Sequence, residues 1–151
     1  MTTMEIIEKI TSKDSTKVWS ASCEIIKQVQ DKRIITPQIP HLPHIIQSTK
    51  GLEMGGLLAS NQRFVDYAIK TIEFHRDSKE CTCNLYLGPE SVMPDPNREQ
   101  VSGYVKIIDT KLSEDQRIDF YKVECKRCRK LYKVIEREYH FVWWGWTKWE
   151  D

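Results

Sequence analysis

A chain of 151 residues, 40% of them apolar, is long enough to close a core and short enough to be one domain. Its 23 Lys and Arg nearly balance 22 Asp and Glu, and a formal charge of +1 argues against a polyanion binder driven by net charge. No run of about eighteen apolar residues occurs, and Glu5, Glu8 and Lys9 interrupt the first apolar stretch, so neither a membrane span nor a secretory signal is expected and the chain reads as cytoplasmic.

Residues 5–13 and 17–30 have helical spacing, the second with Val18, Ala21, Ile25 and Val29 beside Trp19, Cys23 and Ile26 on one apolar stripe. Ser15 or Thr16 is the expected cap of that helix. Residues 34–51 hold Pro37, Pro40 and Pro43 without a period, which predicts a surface connection with one short helical turn over 44–48, and Gly51, Gly55 and Gly56 mark its turning end. From Ser60, Phe64, Val65, Ala68, Ile69 and Ile72 recur at three and four, predicting a third helix to His75 or Arg76.

After Asp77 the character changes. Residues 81–87, 101–109, 118–125, 131–138 and 139–146 are rich in β-branched and aromatic residues and predict five strands. Residues 88–100, with Pro89, Pro94 and Pro96, read as a long exposed loop, and 110–117 as a polar hairpin connection. Helices followed by strands without alternation predict an α+β fold, with N-terminal helices on a C-terminal antiparallel sheet. Charge gives no reason to split the chain, so residues 1–151 are expected as one domain with a helical part to 80 and a β part from 81.

The chemistry concentrates in Cys81-Thr-Cys83 and Cys125-Lys-Arg-Cys128, which account for four of the five cysteines. Residues i and i+2 of an extended segment share a face, and a two-residue spacer in a turn lets a pair converge. Neighbouring strands would therefore bring the four sulfurs together as a tetrahedral site, with structural zinc the expected ion and iron the competitor for the same donors. The stretch Val-Glu-Cys-Lys-Arg-Cys-Arg-Lys-Leu-Tyr, residues 123–132, resembles a zinc-ribbon knuckle, which implies a structural metal. It departs from that pattern in the one-residue spacer of the partner pair and in having no glycine after the second cysteine. Lys126, Arg127, Arg129, Lys130 and Lys133 crowd the turn, where positive charge offsets a doubly negative tetrathiolate centre. Cys23, on a helix stripe, is expected in a core, and His75 is the one substitute ligand in reach of Cys81 along the chain.

Residues 139–149 carry four of the five tryptophans. Alternation sends Tyr139, Phe141 and Trp143 to one face of a strand, and His140, Val142, Trp144 and Trp146 to the other. Trp144, Trp146 and Trp149 are the candidate contacts for a partner, because aromatic anchors dominate binding energy. No nucleophile, base and orienting group assemble into a catalytic set, and Gly55-Gly56 lacks the strand and lysine of a phosphate loop, so an enzyme is not expected. These observations favour a zinc-stapled protein acting on one protein partner, of the kind represented by immunity proteins that occlude a toxin. The alternative is a zinc-dependent nucleic-acid module using Lys126, Arg127, Arg129 and Lys130 on phosphates and tryptophans on bases. It is disfavoured because Lys148 is the only cation among residues 138–151.

Overall fold

The computed structural model describes residues 1–56, 60–138 and 142–151. Its contacts group the chain into two compact units, Met1–Thr82 and Cys83–Asp151. No helix among the described residues is long and apolar enough to cross a membrane.

The first unit is helical. Helix α1, Thr3–Ile10, opens on a reciprocal cap in which the Thr2 amide donates to Glu5 at 2.8 Å and the Glu5 amide to the Thr2 hydroxyl at 3.1 Å, and it buries Ile6, Ile7 and Ile10. Helix α2, Ser15–Lys27, is capped by Asp14 rather than by Ser15 or Thr16. One Asp14 carboxylate oxygen accepts from the amides of Thr16 and Lys17 at 3.0 and 3.1 Å, satisfying two donors where a hydroxyl usually serves one. Val18, Ala21, Ile25, Ile26 and Val29 are sealed as the stripe predicts, whereas Trp19 stays 40% exposed and meets Phe64 edge-on.

The proline-containing segment is not a loose connection. It forms α3, Lys32–Ile35, a 3-10 helix over Thr36–His41, and α4, Leu42–Thr49. Pro37 and Pro43 stand in first-turn positions, where a missing N–H leaves nothing unsatisfied, so the prolines start these helices instead of breaking them. Ile35, Leu42 and Ile45 enter the core. Gly51 and Gly55 take positive φ, as a tight turn requires. Helix α5, Gln62–Asp77, packs on α2 through Phe64, Val65, Ala68 and Ile72.

The second unit carries a four-stranded antiparallel meander, ordered β1 (Val105–Leu112), β2 (Ile118–Cys125), β3 (Leu131–Glu138), β4 (Val142–Lys148). The expected first strand, 81–87, is a 3-10 helix over Thr82–Leu87. The physical reason is a period of three: Thr82 and Cys83, then Leu85 and Tyr86, are buried in adjacent pairs, which a strand with one covered face cannot do. Residues 88–100 are likewise not an exposed loop, because Val92, Met93 and Pro94 are buried and Asp95 caps helix α6, Pro96–Val101. Val101 therefore ends a helix instead of opening a strand, and it is 88% exposed. Tyr139, His140 and Phe141, expected in the last strand, lie outside the described residues.

Register fixes which side of the sheet is covered. Tyr121, Val123, Tyr132, Val134 and Trp146 stand on one side and are buried with Leu85, Tyr86, Val92 and Met93. Trp146 stacks on Tyr86 at 4.0 Å between ring centroids, and Tyr132 meets both rings edge-on.

One acid is drawn into this core. Glu99 is 3% exposed and accepts a hydrogen bond from the Tyr86 hydroxyl at 2.9 Å. Burial raises its pKa above the ordinary 4.5, outweighing the opposing pull of Tyr86 and Arg98. The folded state therefore holds this proton more tightly than the unfolded chain, so stability falls as pH rises through the window that opens at 4.5. Urea midpoints measured across that window should lose part of this downward slope in Glu99→Gln, whose amide oxygen still accepts from Tyr86. An unchanged slope contradicts the assignment.

Candidate metal centre and open sheet face

Cys125 closes β2 and Cys128 follows three residues later, so a hairpin turn sets this pair. The turn is tied by its own backbone: the Arg129 amide donates to the Cys125 carbonyl and the Cys125 amide to the Lys130 carbonyl, both at 2.9 Å, while the Lys126 amide reaches the Tyr104 carbonyl at 3.0 Å. Arg129 holds φ +68°, the left-handed conformation that a glycine would adopt without strain in this place. The missing glycine of the knuckle is thus met by an arginine that takes the glycine's backbone geometry. Its side chain pairs with Glu124 at 3.1 Å across the surface.

Cys83 lies in the 3-10 turn and Cys81 just ahead of it. All four sulfurs fall within 4.8 Å of one another, with Cys83 and Cys125 buried, Cys81 half-buried and Cys128 exposed. Sulfurs bound tetrahedrally at about 2.3 Å sit about 3.8 Å apart, and the Cys83 and Cys128 sulfurs are 3.4 Å apart. That separation is far beyond the ~2.05 Å of a disulfide, and no described cysteine pair is bonded. The Tyr132 hydroxyl donates to the Cys83 sulfur at 3.0 Å. Burial first, and then this hydrogen bond and the neighbouring thiols, push the Tyr132 hydroxyl well above its ordinary range, so it stays a donor. Four thiol donors at these spacings fit a metal ion, and the set is closed without a histidine.

His75 is not part of it. Its Nε2 lies 2.6 Å from the Val29 carbonyl within the helical unit, which requires the Nε2–H tautomer as donor. Cys23 is buried apart from the quartet, and burial pushes its thiol up to about 11. His41 and His44 are exposed on the first unit.

The expected aromatic contacts separate into different roles. Trp146, a candidate partner contact in the sequence, is 4% exposed and donates from its indole N–H to the Pro94 carbonyl at 3.0 Å, so it is a core residue. Trp144 is half-buried, and its indole nitrogen is enclosed. Both tryptophans share the parity of the covered side, and only the register of β4 on β3 reveals that this side faces inward. Gly145 marks a close approach, not a bulge: a β-carbon there would meet the Glu90 side chain at 3.3 Å.

Trp149 remains on the outer side, half-buried, with its indole donating to Asp151 at 3.0 Å. It meets Phe120 at 5.8 Å between centroids. Lys122 of β2 places its Nζ 4.4 Å from the Trp149 ring, and Lys133 of β3 places its Nζ 4.7 Å from the Phe120 ring. Sequence reasoning assigned Lys133 to the metal turn and overlooked Phe120 and Lys122. The available signal was the strand alternation of Phe120, Lys122 and Lys133 opposite the buried Tyr121, Val123, Tyr132 and Val134. A cleft of about 760 Å³ opens beside these rings, and its lining includes Phe120, Lys133, Trp146, Thr147, Trp149 and Glu150. Of the basic knuckle residues, Lys126 and Arg127 are exposed, while Lys130 donates to Asn84 at 2.7 Å.

Comparison with protein-family models, with curated proteins and with solved structures returns no match.

If Arg129 occupies a glycine position, Arg129→Gly should leave the denaturation midpoint of the metal-loaded protein within about 1 kcal/mol of the parent, relief of left-handed strain offsetting the lost surface pair. Arg129→Val, branched at Cβ, should lose about 1–2 kcal/mol more. Equal tolerance of Val and Gly would contradict the turn geometry.

Proposed function

We propose that this protein works by binding, as a small module whose β unit is held by a structural zinc ion and whose outer sheet face engages a macromolecular partner. The observation that carries this reading is the sulfur quartet, with donors from two segments inside 4.8 Å. Four thiolates complete a tetrahedral shell and leave zinc no position for water, so the ion's role here is to hold the turn and the 3-10 segment, not to activate a nucleophile. Zinc is preferred because it favours tetrahedral thiolate coordination and resists redox change; iron accepts the same donors.

One form of this reading is a cytoplasmic immunity-type protein that neutralises a toxin domain by occlusion, which rests on general type alone. The burial of Trp146 removes one of its three proposed anchors, and Trp149 meets the Phe120 ring and the Lys122 ammonium as well as the Asp151 carboxylate. This distribution gives the nucleic-acid alternative its own specific support.

Absorption spectra of the cobalt-substituted protein test the closed shell. The reading predicts one cobalt per chain, with strong sulfur charge-transfer bands and a tetrahedral ligand-field pattern unchanged by added anions. Bands from fewer sulfurs, shifting when an anion is added, would show an open coordination position and turn the reading toward a metal-dependent hydrolase.

A further inference from the structure

We infer that the outer face of the sheet is a binding surface for single-stranded nucleic acid, with Phe120 and Trp149 stacking bases and Lys122 and Lys133 meeting phosphates. This deepens the binding-module reading and rests on it. The argument begins with what the sequence lacked: the C-terminal tryptophans had one cation among their own neighbours, half of what such a site needs. The fold supplies the other half from β2 and β3. Lys122 and Lys133 are paired directly across those strands, and their ammonium groups lie over the Trp149 and Phe120 rings.

The two rings and Lys133 border the 760 Å³ cleft, where Thr147 is exposed and Glu150 is the one acidic side chain in the lining. Along the strands the positive path continues. Lys126 and Arg127, in the turn that follows β2, come four and five residues after Lys122 and are exposed. Glu124, the acid nearest that path on β2, is held by Arg129. An aromatic platform flanked by cations on an antiparallel sheet suits unpaired bases, whose π-faces are free to stack, and the ammonium groups now capping the rings can move to the phosphates as bases take their place. A duplex hides its base faces. An acidic protein would satisfy the lysines and leave the ring pair without a role.

The test is fluorescence anisotropy of a labelled oligothymidylate of about twelve nucleotides, titrated with the metal-loaded full chain at several salt concentrations. We expect binding that weakens steeply with salt, quenching of tryptophan emission on saturation, and weaker binding to a duplex of the same length. Trp149→Ala and Phe120→Ala should each weaken binding about tenfold or more, with Trp149→Phe restoring most of the loss. Lys133→Ala should lower the salt slope by about one contact. Cobalt spectra on the same preparations report whether the metal centre is intact. An intact centre with no oligonucleotide binding at low salt overturns this inference alone and leaves the face to a protein partner. Binding indifferent to both ring substitutions, or equal for duplex, also overturns it, since charge alone would then account for the contact. A missing or open metal centre overturns the module reading itself.

Discussion

Convergence of four sulfurs from two chain segments is the constraint on which the second unit depends. One pair is fixed by a hairpin turn and the other stands at a 3-10 turn that also packs on the sheet through Leu85 and Tyr86. About 70 residues make a thin core for a free-standing unit, and at that size a metal commonly supplies what burial does not. The aromatic cluster of Tyr86, Tyr132 and Trp146 adjoins this constraint directly, because Tyr132 touches Cys83 with its hydroxyl and Trp146 with its ring. Sulfur quartet, aromatic core and sheet register are therefore one connected arrangement.

That arrangement explains the division of labour between the two sides of the sheet. On the covered side the large rings stack against each other and their polar atoms find partners, Trp146 on Pro94 and Tyr86 on Glu99. On the outer side the rings are paired with ammonium groups instead, a combination suited to a surface that changes partners. A β-strand sends alternate residues to opposite sides, so Phe120 and Tyr121 are neighbours in sequence with unrelated duties.

The meeting of Cys81, Cys83, Cys125 and Cys128 was legible in the sequence, because cysteine spacing carries its own geometry. Its supporting secondary structure was not: Cys81 and Cys83 converge with Cys125 and Cys128 from a 3-10 turn, although an extended segment was expected. The three-residue burial rhythm of Thr82 to Tyr86 competes with a β-rich composition that suggests a strand, and composition misled. Prolines misled in the same way between Lys32 and Thr49, where their value as helix starters outweighed their reputation as breakers. The helices α2 and α5 were plain from periodicity, since a long amphipathic stripe leaves little choice. The open face was the least legible part, because Lys122 and Lys133 reach the C-terminal aromatics only through cross-strand pairing.

Amide hydrogen exchange with and without a metal chelator tests the central claim most directly. The account predicts that removing the ion strips protection from β2, β3 and the Thr82–Leu87 turn, while α2 and α5 keep theirs. Undiminished protection throughout the sheet in the metal-free protein would show that the four sulfurs meet without needing an ion, and would contradict the account.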